Sequence, residues 1–144
     1  MKNTLTNVIL SIKPTYANAI LSGLKKVEFR KKIFKKPVDK IFIYSSSPQK
    51  MIIGYFTFSE IMEDTPKNIW DKFNKVGGIG KKDFFEYFKG VEKGYSIIIN
   101  SYEKFKIEID PIEFIEEFSA PQSYIYLDDK SSLEIALTKL KKIK

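Results

Sequence analysis

Gly23-Leu24-Lys25-Lys26-Val27-Glu28-Phe29-Arg30 is the stretch of sequence on which the fold prediction depends. From Lys25 to Lys32, apolar and charged residues alternate, which is the period of a strand with one buried face. Val27 and Phe29 share the apolar face, whereas Glu28 and Arg30 share the charged face. We therefore predict a half-buried strand at this place in the chain.

The charged face of this strand is a candidate site. Because Glu28 and Arg30 project to the same side of a regular strand, the carboxylate can hold the guanidinium planar and aimed at a phosphate or a base edge. Lys25 would face the opposite way in a straight strand, so it joins the pair only if the turn after Gly23 is still bent. The alternative interpretation is a solvated strand face that binds no ligand.

The residues before this stretch predict a strand and a short helix. Val8 to Lys13 is apolar and β-branched and stops at a proline. Pro14 suits the first turn of a helix, in which apolar residues recur at helical spacing up to Leu21, and Gly23 supplies a C-terminal cap. This helix has about two turns.

The residues after the stretch predict further strands and two aromatic helices. The predicted strands run from Lys40 to Tyr44, Met51 to Glu60, Tyr95 to Asn100 and Phe105 to Ile109, and the turn Ser45-Ser46-Ser47-Pro48 joins the first two. Aromatic residues at helical spacing predict two cover helices, one that opens at Pro66 and is broken by Gly77, Gly78 and Gly80, and one from Phe84 to Gly90. Leu133 to Leu140 predicts a closing helix, and residues 111–127 are ambiguous.

The order of these elements indicates the fold class. The series β-α-β-β-β, then helices, then β-β favours a small twisted barrel over a parallel doubly wound sheet. The 144 residues are typical of one domain, and 12 Phe and 8 Tyr supply a core. We predict an α+β fold in which a small β-pseudobarrel is surrounded by helices, as one domain spanning residues 1–144.

The absence of cysteine and histidine excludes several kinds of chemistry. The sequence contains neither residue, so disulfides, thiolate nucleophiles, imidazole bases and structural zinc sites are excluded. We expect no cofactor and no metal. Any catalysis must use Lys, Glu, Asp, Tyr, Ser, Thr or a magnesium ion held by carboxylates.

Charge and hydropathy indicate the partner and the location. The net charge of +7 favours an anionic partner, and residues 24–40 are rich in lysine and arginine, whereas residues 108–129 contain acids and no base. No secretion signal and no membrane-length apolar run is present, so we expect a cytoplasmic protein that does not bind membranes. The oligomeric state stays open.

The stretch at residues 23–30 resembles the opening signature of ASCH domains in the PUA-like superfamily, in which a short helix ends in Gly-x-Lys and leads into a strand that ends in Arg. Further segments of the chain are similar to the same family: Ile12-Lys13-Pro14, Ile43-Tyr44-Ser45-Ser46-Ser47-Pro48, Ile53-Gly54, Trp70, Gly94-Tyr95 and Ala120-Pro121-Gln122-Ser123-Tyr124. The resemblance implies a pseudobarrel whose cleft, between the first helix, the second strand and the following loops, holds RNA or a nucleobase.

The family also includes acetylcytidine amidohydrolases and a ribonuclease. In the amidohydrolases the corresponding segment is similar to Gly-x-Lys-x-x-Thr-x-Arg, with the lysine as base and the threonine as nucleophile. Lys25 and Arg30 match that pattern, but Glu28 stands in place of the threonine and lacks its hydroxyl. The candidate catalytic residues are therefore Lys25 and Glu28. The family's catalytic glutamate has two candidate positions, Glu86 and Glu92.

Further residues complete the predicted binding site. By analogy with the family, Lys13 and Tyr16 face the cleft. Tyr44, Ser46 and Ser47 offer hydroxyl and backbone N–H groups to a phosphate, although serine-rich turns before proline are common. Gln122 and Ser123 are predicted to form hydrogen bonds with a base edge. The alternative is that they cap the following turn.

Three functions compete on this sequence. The first is a module that binds RNA or a modified nucleobase, with a role in regulating transcription or translation. The second is a small nucleoside amidohydrolase or ribonuclease that uses Lys25 and Glu28. The third is an interaction protein whose acidic segment, residues 108–129, meets a partner. A concave pocket that holds Lys25, Glu28 and Arg30 together separates the first two from the third.

Overall fold

The structure is a computed structural model, which describes residues 5–115, 118–119, 124–127 and 133–137. Its elements, in chain order, are the strands and helices β1 (Thr6–Ile12), α1 (Pro14–Leu21), β2 (Val27–Arg30), β3 (Val38–Ser45), β4 (Met51–Asp64), α2 (Pro66–Phe73), α3 (Lys81–Tyr87), β5 (Gly94–Ile109), a 3-10 turn (Pro111–Glu113) and β6 (Tyr124–Leu127). Residues 133–137 are helical. Within these ranges, no helix is both long and apolar enough to cross a membrane.

One mixed sheet organises the molecule. Its six strands lie in the order β2-β5-β4-β3-β1-β6, in which only β1 and β3 run parallel. The predicted α+β fold class is confirmed. The edge strands β2 and β6 are not joined by any ladder in the described part of the chain, so a closed barrel is not confirmed.

Two long strands form the centre of the sheet. β4 pairs antiparallel with β5 from Ile52 opposite Ile109 to Asp64 opposite Gly94. The prediction of two separate strands within residues 95–109 was wrong, because the intervening residues continue the ladder with β4. There, the hydroxyls of Thr57 and Ser101 lie 2.6 Å apart across the two strands.

Helix α1 begins and ends as the sequence predicts. Pro14 is its first residue, where a missing N–H costs no hydrogen bond. At its end Gly23 has a φ of +85°, and the backbone N–H groups of Leu24 and Lys25 both donate to the carbonyl of Ala19 at 3.0 Å. This wrapped turn keeps the chain bent as it enters β2.

The core consists of three apolar clusters. One lies between α1 and one sheet face and includes Ile20 and Phe56, and a second, on strands β3 to β5, includes Phe42 and Phe105. The third lies where α2 and α3 cover β2, and its buried residues are Val27, Phe29, Ile69, Phe73, Phe84 and Phe88. The two aromatic helices therefore cover the sheet as predicted, and they do so beside the candidate site.

Gly54 provides a test of this packing. A Cβ at Gly54 would collide with the backbone carbonyl of Glu103 on the paired strand, whereas a Cβ at Gly80 would have no atom within 4 Å. We expect Gly54→Ala to lower the free energy of unfolding by about 1–3 kcal/mol, since a backbone atom cannot rotate away. Gly80→Ala is the matched control and should change it by less than about 1 kcal/mol. Urea unfolding of both variants measures the difference, and equal losses would contradict the description of the sheet.

Candidate functional site

Three charged side chains, Lys25, Glu28 and Arg30, are buried together on β2 and the turn before it. They are 3%, 5% and 9% exposed. The Nζ of Lys25 lies 3.7 Å from one carboxylate oxygen of Glu28, and the Nη1 of Arg30 lies 3.2 Å from the other. One carboxylate therefore holds two cations, and we call the three residues the ion-pair row.

The burial of this row corrects the sequence interpretation of β2. A half-buried strand was predicted, with a solvated charged face as the alternative to a site, but all four residues of β2 are buried. The apolar face packs under α2 and α3, as expected, and the charged face is covered as well. The interpretation of Glu28 and Arg30 as a solvated strand face is therefore wrong.

The bent turn and a glycine loop bring Lys25 to the row. After the wrapped end of α1, Lys26 donates its backbone N–H to the carbonyl of Val76 at 2.8 Å, and the ammonium of Lys25 donates to the carbonyl of Gly77. Gly78 has a φ of +64°, and a Cβ there would lie 2.8 Å from the Cβ of Lys25. The loop between α2 and α3 can approach Lys25 this closely because residues 77 and 78 are both glycines.

Arg30 is fixed from two sides. Its Nη1 donates to Glu28 and also to the backbone carbonyl of Ser11 at 3.3 Å, at the end of β1. A guanidinium held by a carboxylate and a carbonyl has a defined plane. This arrangement suits recognition of a planar or tetrahedral anion.

A cavity of about 500 Å³ opens above the ion-pair row. Lys25, Glu28 and Arg30 all line it, together with side chains from three other parts of the chain. The end of β1 and helix α1 contribute Lys13 and Tyr16, and helix α3 contributes Asp83, Phe84, Glu86 and Tyr87. The volume falls within the range of small-molecule sites.

The structure places the predicted site residues unevenly. Lys13 and Tyr16 line the cavity with the ion-pair row, but Tyr44 does not: it is 5% exposed and its ring packs 5.3 Å from that of Phe118. Ser46 and Ser47 lie in the turn between β3 and β4 and are not among the cavity residues. Gln122 and Ser123 lie outside the described residues. Their assignment to the site stays a prediction.

Sequence reasoning missed Asp83 and Tyr87 of α3 and left Glu86 as one of two candidate positions for the family's glutamate. Asp83, Glu86 and Tyr87 line the cavity, and Glu92, the other candidate position for the family's glutamate, does not. The three residues are spaced i, i+3 and i+4, which places them on one face of the helix. That polar stripe was visible in the sequence, but the aromatic residues led to the interpretation of the helix as a core cover, with Glu86 as its only candidate site residue.

Burial shifts the protonation of the groups around the cavity. Desolvation lowers the pKa of Lys25 below its usual 10.5, although the neighbouring Glu28 opposes the shift. Desolvation also raises the pKa of the Tyr16 phenol above 10.0, with smaller contributions from Asp83 and Glu28, and it raises the pKa of Tyr87. The site therefore combines an amine that is more readily deprotonated with phenols that stay protonated at neutral pH.

Two lysines at the cavity lie against aromatic rings. The ammonium of Lys25 lies 4.8 Å from the ring centroid of Phe29 and 5.3 Å from that of Tyr16, and Lys31 lies 4.8 Å from that of Tyr87. These cation–π contacts help to keep the lysines at the cavity. Within the described residues, no group of three or more acidic side chains is arranged to hold a metal ion.

Comparison with known proteins identifies similar sequences. Residues 10–134 match the family model described as ASCH domain. A protein of Zymomonas mobilis named ASCH domain-containing ribonuclease is 29% identical over 122 residues, which cover 83% of this chain and 82% of that protein. A protein of the large ribosomal subunit of Ureaplasma parvum is 25% identical over 127 residues, covering 88% of this chain but only 40% of its own length.

Comparison with solved structures supports the same relationship. The crystal structure of an ASCH protein from Zymomonas mobilis superposes with a TM-score of 0.84 at 25% identity, covering 92% of this chain and 94% of that one. The predicted PUA-like fold of ASCH domains is therefore confirmed over nearly the whole chain.

The ion-pair row predicts an unusual sensitivity of stability to one carboxylate. Glu28→Gln leaves Lys25 and Arg30 buried without the carboxylate that both contact, so we expect the free energy of unfolding to fall by about 3 kcal/mol. Asp71→Asn makes the same chemical change in the exposed pair with Lys67 and should cost less than about 0.5 kcal/mol. Thermal or urea unfolding compares the two variants. Similar small losses in both would show that the row is effectively solvated.

Proposed function

Because residues 10–134 match its model, the chain belongs to the ASCH domain family, and we propose that it binds single-stranded RNA with one nucleotide seated in the cavity above the ion-pair row. Splayed nucleotides of single strands offer both a phosphate and an unstacked base to such a cavity. The predicted role in regulating transcription or translation would use this same binding.

The observation that carries the proposal is the burial of Lys25, Glu28 and Arg30 beneath a cavity. Desolvating three charges is costly, and well-packed apolar side chains often stabilise a core as well or better. Such a row in the floor of a cleft, with a shifted lysine pKa, is typical of a functional site rather than of a structural one. An anionic ligand would add a further favourable contact for the two cations that share this carboxylate.

The residues suggest separate roles for phosphate and base. Arg30 is pre-oriented by Glu28 and by the carbonyl of Ser11, so it is suited to a phosphate oxygen. Lys13 and Lys31 lie exposed at the same cavity and add electrostatic attraction. Tyr16 and Tyr87 supply aromatic faces on which an unpaired base can stack.

A second candidate function is RNA cleavage, and two observations favour it. The Zymomonas mobilis relative is named a ribonuclease. In addition, burial lowers the pKa of Lys25, which increases the fraction of neutral amine that can act as a base. The amidohydrolase alternative is less well supported, because Glu28 has no hydroxyl with which to form an acyl intermediate.

The side chains at the cavity can supply the base, the acid and the cation that RNA cleavage requires. Neutral Lys25 takes the proton of the substrate's 2′-hydroxyl, and the 2′-oxygen attacks the adjacent phosphorus. The bond from phosphorus to the 5′-oxygen breaks, leaving a 2′,3′-cyclic phosphate and a 5′-hydroxyl. Arg30 stabilises the charge that develops on the phosphoryl oxygens. The raised pKa values of Tyr16 and Tyr87 keep their phenols protonated, so either can protonate the leaving oxygen.

Binding is tested with two adjacent lysines. Lys31 lines the cavity and Lys32 does not, although both are exposed. We expect Lys31→Gln to weaken binding of a short fluorescent single-stranded RNA several-fold and to reduce the slope of log affinity against log salt by about 0.7, since one phosphate contact is lost. Lys32→Gln is the charge-matched control and should have a clearly smaller effect. Fluorescence anisotropy across a salt series gives both quantities, and equal effects of the two variants would place the RNA elsewhere.

Cleavage is tested by its pH dependence. A lysine base with a lowered pKa is deprotonated progressively as pH rises, so the cleavage rate should increase with pH and level off at the pKa of Lys25, below 10.5. Lys25→Met should abolish cleavage while the variant still binds RNA, because Glu28 keeps its contact with Arg30. Product ends are analysed for cyclic phosphate after subtraction of enzyme-free hydrolysis. A rate that falls over the same pH range would instead assign protonated Lys25 the role of an acid.

A further inference from the structure

Two carboxylates at the cavity are not explained by phosphate binding. Asp83 and Glu86 project from α3 into a site whose other charged groups include Lys13, Arg30 and Lys31. Among the described residues, neither carboxylate lies within salt-bridge distance of a lysine or arginine. In a protein with a net charge of +7, two such acids at an anion-binding cavity would weaken the attraction of RNA.

The positions of the charges separate the site into two parts. The cations lie at the ends of β1 and β2, whereas the carboxylates lie on α3. The charge of Asp83 also reaches helix α1, because it contributes to the raised pKa of the Tyr16 phenol there. Lys31 also contacts α3, where its ammonium lies 4.8 Å from the ring centroid of Tyr87. A nucleotide whose phosphate meets Arg30 can place its base against the polar face of α3.

We propose that Asp83 and Glu86 read the Watson–Crick edge of the bound base and select guanine. This inference rests on the proposed function, since it assigns a specificity to the same cavity. Carboxylates are acceptors only, so they favour base edges that present donors. With the phosphate at the cations, the base is the part of the nucleotide that lies next to α3.

The donor pattern distinguishes guanine from the other bases. Guanine presents two adjacent donors, N1–H and N2–H, which match the two oxygens of one carboxylate in a bidentate contact. Cytosine and adenine each present an amino group beside an unprotonated ring nitrogen, and uracil presents one N–H between two carbonyls. In these three bases an acceptor faces one carboxylate oxygen, which leaves the contact incomplete and repulsive.

The experiment is competition against the fluorescent single-stranded RNA by guanosine, inosine and uridine 5′-monophosphates. Inosine lacks only the 2-amino group of guanosine. We expect the guanosine nucleotide to compete about tenfold better than the inosine nucleotide, which corresponds to the loss of one charge-assisted hydrogen bond. Asp83→Asn or Glu86→Gln should remove this preference, and it should leave uridine monophosphate competing as well as before or better, because one negative charge has gone.

Glu92→Gln is the control, since it removes an exposed carboxylate of the same chain that does not line the cavity, and it should keep the preference. Equal competition by all three nucleotides in the unaltered protein would overturn the guanine inference while leaving RNA binding intact. Retention of the preference in both the Asp83 and the Glu86 variants would also overturn it. Failure of the protein to bind the labelled RNA at all would instead contradict the proposed function.

Discussion

The carboxylate of Glu28 is the constraint on which the site and its surroundings depend. It contacts Lys25 at 3.7 Å and Arg30 at 3.2 Å while only 5% of the residue is exposed. Neither cation could be buried there alone, because an unpaired charge in this environment is strongly unfavourable. The bent turn before β2, the register of β2 on β5 and the loop onto Lys25 are all needed to bring the three charges together.

The helical insertion between β4 and β5 converts this row of charges into a site. Its loop approaches so closely that a Cβ at Gly77 would lie 2.6 Å from the ring of Phe29. Helix α3 is anchored by Phe84, whose ring meets that of Phe29 edge-on at 5.0 Å, and its polar face then lines the cavity. The same helix thus stabilises the core on one side and supplies cavity-lining polar groups on the other.

The sequence predicted the parts of this arrangement that follow from local periodicity. The period-two pattern placed Glu28 and Arg30 on one face, and proline and glycine marked both ends of α1. It did not predict that the charged face would be buried, because the cover comes from residues 76–87, distant in sequence. Nor did it predict β5 as one strand, since polar residues such as Asn100 and Ser101 at an exposed part of the ladder have the composition of a turn.

Glu28 stands where the resemblance to the amidohydrolases predicts a threonine, and this difference has a chemical consequence. An amidohydrolase must supply its own nucleophile, whereas RNA carries the attacking 2′-hydroxyl within the substrate, so a protein that cleaves RNA needs only a base, an acid and a cation. At position 28 a hydroxyl would leave Lys25 and Arg30 without a counter-charge, and a carboxylate gives up acyl transfer but keeps both cations in place. Desolvation lowers the pKa of Lys25 and Glu28 raises it, and the net lowering means that burial outweighs the ion pair. The carboxylate at position 28 therefore keeps Lys25 and Arg30 buried together, while burial still lowers the pKa of Lys25.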